Sequence, residues 1–248
     1  MTAENPIATK RRVRRIIALL RRAYPAAKCS LNFKTVHQLM VATILSAQCT
    51  DERVNATTKT LFRKYRTPRD FAQADLAELS EDIYATGFHN AKAKSIKKSA
   101  TQLLTDHGGK IPRRLEQLVK LAGVGRKTGS VILGVGYGLA EGIVVDTHVG
   151  RISRRLGLTS QRNPVKVERD LMLAIPQGNW IEYSHLLIYH GRAVCAARRP
   201  KCAECLLAQL CPSADGIQSR HKDGPAMADR LDNAVQTADD KKSESSKK

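Results

Sequence analysis

No apolar run in this chain approaches the length needed to cross a bilayer, which excludes a membrane-spanning helix. The one N-terminal candidate for a secretory signal, Ile16-Ile17-Ala18-Leu19-Leu20, is short and has arginines on both sides, so no leader is expected there. Strand-forming runs are almost absent: Ile143-Val144-Val145 stands by itself and is too short to build a sheet. There is no internal repeat. Acidic residues are few, 23 Asp and Glu against 42 Lys and Arg, and the resulting net charge of +19 points to a polyanionic partner. Residues 214–248 carry seven basic and seven acidic side chains, so the whole excess lies in residues 1–213. A basic body argues for a binding surface, whereas a basic tail would argue for a loose arm. The tail lacks apolar periodicity and is expected to be disordered.

What is present is helical periodicity, in 248 residues of which 42% are hydrophobic. Val13, Ile16, Ile17 and Leu20 form one face of an amphipathic helix with arginines around it. Residues 36–47 are apolar nearly all round (Val36, Leu39, Met40, Val41, Ile44, Leu45), as in a central buried helix. Asp51 is the expected cap of the next helix, Thr67-Pro68 restarts the chain, and Gly87 stops the segment after it. Asn90 is the expected cap of a helix that ends at Gly108-Gly109, and Pro112 the expected opening of another over 112–121. Residues 126–139, 149–157, 165–175 and 180–190 read as further helices. The fold class is all-α.

Leu121-Ala122-Gly123-Val124-Gly125-Arg126-Lys127-Thr128 places two glycines in a tight hairpin between helices. Glycine leaves the N–H groups at the second helix's start uncovered, and with the helix dipole they can bind a phosphate. Such a contact fixes a protein on a nucleic-acid backbone without reading sequence. A phosphate-binding P-loop is excluded because Arg126 separates Gly125 from Lys127, and a dinucleotide fingerprint because Thr128 stands where a third glycine is needed. Lys127-Thr128-Gly129 with Ser95-Ile96-Lys97-Lys98 mimics two penicillin-binding motifs, but no sheet is expected to hold them. The plainer alternative is a turn that only packs two helices. Lys127 lies in the first turn of its helix beside Arg126, where the helix dipole and the guanidinium disfavour the ammonium form. Bound phosphates act the other way, and most single lysines are ordinary surface residues. Asp146, in Val145-Asp146-Thr147-His148, precedes an apolar period at Val149, Ile152 and Leu156, so taken alone it reads as an N-cap. A capping carboxylate is held in place and ionised, which also suits a group that stabilises a developing cation.

Cys195, Cys202, Cys205 and Cys211 have the spacing C-x6-C-x2-C-x5-C, which can enclose a metal centre. Zinc is an alternative, although its usual sites have two close pairs, and disulfides fit poorly without signs of secretion. The intervening loop carries Arg198, Arg199 and Lys201, three cations for a phosphate backbone or a solvated charge run. Cys29 and Cys49 stand apart and read as core residues.

In combination these motifs resemble the endonuclease III family of the helix-hairpin-helix DNA glycosylase superfamily, over about residues 10–213. Leu45-Ser46-Ala47-Gln48-Cys49-Thr50-Asp51 and Gly87-Phe88-His89-Asn90-Ala91-Lys92-Ala93 belong to the same resemblance. It implies a six-helix barrel domain with the helix-hairpin-helix over 29–139. It also implies a second helical domain, from 1–28 and 140–213, whose four cysteines hold a 4Fe–4S cluster, with the active site in the cleft between. The implied activity is bifunctional: excision of oxidised pyrimidines such as thymine glycol from duplex DNA, then strand cleavage 3′ to the abasic site by β-elimination. Lys127 falls on the family's Schiff-base lysine and Asp146 on its catalytic aspartate. Gln48 matches the residue that fills the gap left by a flipped nucleotide, and Phe88 a wedge position where leucine is familiar. Gly123, Gly125, Arg126 and Thr128 of the hairpin would contact DNA. A monomer of bacterial type, cytoplasmic and nucleoid-associated, is implied as well.

The chain departs from the family pattern at Ala122, where proline is usual and its loss would loosen the hairpin, and at Gly129-Ser130 and Val149-Gly150. The rival readings are monofunctional relatives that remove mismatched adenine or thymine, and a non-catalytic DNA-binding module. The first lack a lysine at the position of Lys127. For the second, Lys127 and Asp146 would be incidental.

Overall fold

A computed structural model describes residues 6–214; the expected disordered tail lies, but for Ala214, outside the described residues. Among these residues there are eleven α-helices and no strand, so the all-α reading holds. Helix α1 (Pro6–Ala23) buries Val13, Ile16, Ile17 and Leu20, the face its periodicity marks. Helix α2 (Val36–Leu45) is buried at every residue except Val36 and Thr43. It starts at Thr35, whose hydroxyl accepts the Gln38 N–H. Helices α3 (Asp51–Lys64), α4 (Pro68–Gln73) and α5 (Leu76–Asp82) follow, the second opened by a capping box between Thr67 and Asp70. Helix α6 (His89–His107) stops at Gly108, in the left-handed region at φ 57°, as the Gly108-Gly109 pair suggests. Then come α7 (Leu115–Leu118), α8 (Arg126–Val131), α9 (Thr147–Arg155), α10 (Pro164–Ala174) and α11 (Trp180–Ala193).

Several local expectations are corrected. Thr50, not Asp51, caps α3, because the Asp51 carboxylate is taken by Ser30 and Arg192. Asn90 lies inside α6, whose N-cap is Phe88; the Asn90 side-chain oxygen instead accepts from the Ser80 hydroxyl. Pro112 opens no helix: it is buried in an extended stretch, the Ile111 carbonyl accepts the Tyr137 hydroxyl, and α7 begins at Leu115, whose N–H is met by Glu141. Residues 126–139 do not form one α-helix, since α8 passes into a π-helical turn at Ile132–Gly136. Ile143-Val144-Val145 pairs with no strand and runs into the cap of α9.

The buried apolar side chains form two clusters. One runs from Leu31 to Leu133 and is built by α2–α8. The other joins Val13–Leu20 of α1 to residues 143–207. Each fully buried Leu or Ile contributes about 1.5–3 kcal/mol relative to exposure. Residues of α2, α8, α11 and the segment before α9 line one cleft.

Candidate active site and nucleic-acid interface

Two contacts set the hairpin between α7 and α8. Gly123 is at φ 76°, and a Cβ there would lie 2.8 Å from Cβ of Ser95, so no side chain fits. Gly129 lets α8 close on α7, since its Cβ would lie 2.6 Å from the Leu115 side chain. Ala122 does not leave the hairpin loose. Its N–H, which a proline would lack, donates to the Gln102 amide oxygen at 2.8 Å, and the Gln102 amide nitrogen donates to the Lys120 carbonyl at 3.1 Å. Gly125 caps α8 without a side chain and is exposed, as are Arg126 and Lys127; Thr128 is half-buried.

Arg126 is already engaged. Its Nε and Nη2 donate to the two oxygens of Glu168 on α10, at 2.9 and 3.3 Å. The Glu168 side chain is only 7% exposed, so the pair fastens the hairpin's second helix to the other core cluster. Glu168 itself lies against Gly142, where a Cβ would collide with its carboxylate.

Lys127 and Asp146 line one cleft of about 170 Å³, together with Ser46, Asp51, Tyr189 and Arg192. Asp146 caps α9: its Oδ1 accepts the Val149 N–H at 2.8 Å. Its other carboxylate oxygen has no hydrogen bond among the described residues and is left for the cleft. Two residues on, His148 is held below the usual imidazole range, first by burial and then, against the Asp146 charge, by Arg151, Arg192 and Lys127. Asp51 is a member of this cleft that sequence reasoning took for a helix cap. Its Oδ2 accepts from the Ser30 hydroxyl at 2.6 Å and from Arg192 Nη2 at 2.8 Å. Burial works to raise its pKa, but these hydrogen bonds and the charges of Arg192 and Lys127 outweigh it and hold the carboxyl below its ordinary value. Arg192, on α11, had no signal in the sequence.

Gln48 and Phe88 sit on two exposed loops, after α2 and before α6. Phe88 is 64% exposed and belongs to neither core cluster.

The four cysteines line one small cavity with Ile152, Leu156, Leu207, His190 and Arg155. Two of the sulfurs meet side-chain nitrogens: Arg155 Nη1 donates to Cys195 Sγ at 3.1 Å, and His190 Nε2 lies 3.5 Å from Cys205 Sγ. Among the described residues no three His, Cys, Asp or Glu side chains converge as they would on a single ion. Four sulfurs lining one cavity are a soft donor set that an iron–sulfur cluster or a zinc ion could use. Arg155 also donates to the carbonyls of Ala196 and Ala197, which sets the start of the loop carrying exposed Arg198, Arg199 and Lys201. Cys29 and Cys49 pack, half-buried, against the first core cluster.

Residues 41–177 match the HhH-GPD superfamily of base excision DNA repair proteins. The chain is 51% identical over 205 residues to the endonuclease III of Synechocystis sp., covering 83% of this chain and 94% of that protein. It is 36% identical over 196 residues to the endonuclease III of Escherichia coli, covering 79% and 92%. A solved non-covalent endonuclease III–DNA complex superposes with a TM-score of 0.80 at 39% identity, covering 86% of this chain and 99% of that one. A trapped endonuclease III–DNA covalent intermediate superposes with a TM-score of 0.79 at 40% identity, covering 84% and 98%.

Proposed function

From the premise that the chain belongs to the HhH-GPD superfamily, and within it to the endonuclease III family, we propose that Lys127 and Asp146 are its catalytic pair and oxidised pyrimidines in duplex DNA its substrates. That it is a base excision repair DNA glycosylase and abasic-site lyase follows from the family. The observation that supports the assignment is that Lys127, on α8, and Asp146, the cap of α9, line the walls of one cleft.

A stacked base shields its sugar, so the target nucleotide leaves the helix first. Neutral Lys127 then forms a bond to C1′ as the bond from C1′ to the damaged base breaks, and the base departs with that electron pair. The free carboxylate oxygen of Asp146 faces the positive charge that develops on the sugar. The sugar ring opens at the C1′–O4′ bond, O4′ gains a proton, and C1′ and Nζ become an iminium. The iminium acidifies C2′–H. Loss of that proton expels the 3′ phosphate and cuts the strand on the 3′ side.

Backbone N–H groups at Gly123, Gly125 and Thr128, with Arg198, Arg199 and Lys201, take the phosphates. Arg126 contributes through its tie to Glu168, which holds the hairpin in place for these contacts. Gln48 and Phe88 occupy the space that the nucleotide vacates. Cys195, Cys202, Cys205 and Cys211 hold a 4Fe–4S cluster, which when bound ties the 196–201 loop into a fixed shape. The two core clusters correspond to a barrel domain over 29–139 and a cluster domain from 1–28 and 140–213. The protein acts as a monomer on double-stranded DNA carrying oxidised pyrimidines or abasic sites. It works in the cytoplasm at the nucleoid, in a cell of bacterial type; among the described residues no helix is long and apolar enough to cross a membrane.

Three duplexes, bearing thymine glycol, an A·G pair and a G·T pair, test the substrate class. Excision and nicking confined to thymine glycol support it. Base removal from either mismatch without nicking contradicts it, and binding without chemistry on all three contradicts catalysis altogether.

A further inference from the structure

Lys92 is a buried cation without a buried anion. It is 6% exposed, and no carboxylate faces it among the described residues. Such a charge is costly unless hydrogen bonds replace its water. Here the ammonium donates to two backbone carbonyls, Leu45 O and Thr86 O, each at 2.8 Å. Leu45 O lies at the C-terminal end of α2, where unpaired carbonyls present negative charge. Thr86 O is the carbonyl of the last residue of the 3-10 turn Tyr84–Thr86. Burial lowers the Lys92 pKa, and the Cys49 charge opposes that shift.

The two anchor points are close in sequence to the two loops described above. Leu45 is three residues before Gln48, and Thr86 two before Phe88. The Lys92 N–H itself donates to the Phe88 carbonyl at 3.0 Å. Gln48 and Phe88 are the two non-glycine residues with positive φ among the described residues. Strained backbone of this kind persists only where its surroundings fix it from several sides. One ammonium bonded to the root of both loops supplies such a constraint.

We propose that Lys92 is a positioning residue whose ammonium, by binding the carbonyls of Leu45 and Thr86, fixes the Gln48 and Phe88 loops as one rigid pair for entry into the duplex. The proposal rests on the reading of those two residues as occupants of the vacated space. Its consequence is selective. Chemistry at Lys127 needs no gap-filling when the abasic site is already unstacked, so Lys92 matters for duplex substrates and little for single-stranded ones.

The test compares full-length Lys92→Met, which keeps the length of the chain but not the charge, and Lys92→Arg, which keeps the charge but presents it in a different shape. Single-turnover excision of thymine glycol from duplex DNA is expected to fall roughly 100-fold in Lys92→Met, the scale of a misplacement of about 1 Å. Lys92→Arg, which is also the fallback should Lys92→Met fold poorly, loses less in the same direction. Borohydride trapping on an abasic site in single-stranded DNA stays near wild type for both. Amide exchange at residues 46–49 and 86–88 speeds up together in the free variants, while the interior of α2 stays protected. A variant that loses both substrates in parallel overturns the proposal and leaves Lys92 an ordinary structural residue. Undiminished duplex excision overturns it as well. A Gln48→Ala/Phe88→Ala double variant run alongside separates the two layers: without a duplex defect in the double variant, the underlying reading fails and takes the proposal with it.

Discussion

Gln48 and Phe88 share a backbone conformation that no other non-glycine residue adopts among the described residues, at φ 53° and φ 50°. For an L-residue this region costs roughly 1–2 kcal/mol. Neither side chain recovers that cost by burial, since both are exposed. The strain is therefore attached to two residues that point at solvent in the free protein.

Phe88→Ala follows from that exposure. A buried phenylalanine would lose about 3–5 kcal/mol on truncation. At 64% exposure the melting temperature should hardly move, while excision from duplex DNA weakens. Phe88→Gly should raise the melting temperature by about 2–4 °C, because glycine accepts positive φ without strain. Calorimetry and single-turnover excision on the same samples check both; a large drop in melting temperature for Phe88→Ala would place the ring in the core.

Asp146→Asn keeps a side-chain acceptor for the Val149 N–H and removes the charge. Near-native stability is expected, with excision slowed by roughly 100-fold or more, the scale of losing one preorganised electrostatic group. Unfolding, or excision at the normal rate, would reduce Asp146 to a cap.

Arg126→Ala leaves the Glu168 carboxylate buried without its partner. Stability should fall by about 1–3 kcal/mol. A free phosphate-binding arginine would instead show in the salt dependence, with the slope of log affinity against log salt shrinking by about one unit. Little change in that slope is expected, and Glu168→Gln should cost less than Arg126→Ala. Denaturant melts and binding titrations at several salt concentrations measure the two effects.

His37 gives the fold an acid-sensitive point. It is buried against Phe71, and among the described residues neither ring nitrogen has a hydrogen-bond partner. Burial lowers its pKa to about 4, with the Asp70 charge opposing the shift. The unfolded chain therefore binds a proton more readily than the folded one. The stability difference is fully present above the unfolded value and is lost as pH falls from about 6.5 toward 4, on the order of 3 kcal/mol at full effect. His37→Phe should flatten this part of the stability–pH curve; an unchanged curve in the variant would show that the loss arises elsewhere.

Local signals carried much of this molecule. The apolar run of α2, the arginine-flanked face of α1 and the glycines ending α6 are properties of neighbouring residues and could be read directly. The glycine hairpin was legible for the same reason, since Gly123 is demanded by its own φ. Asp51 was misread because its side chain is claimed by Arg192, 141 residues away, and a contact of that span leaves no periodic trace. The contacts of Glu168 and Lys92 left no periodic trace either: Glu168 acts through Arg126, 42 residues away, and Lys92 through two backbone carbonyls, that of Leu45 being 47 residues away. Ala122 looked like a weakness in the hairpin only because Gln102, twenty residues earlier, could not be seen to take its N–H.

The most direct measurement concerns Lys127. Wild-type protein incubated with a thymine glycol duplex and borohydride should form a covalent protein–DNA band, because borohydride reduces the iminium to a stable amine. Lys127→Ala should give no such band while binding the same duplex with nearly unchanged affinity. A band at wild-type intensity from Lys127→Ala would contradict the assignment and place the nucleophile on another amine.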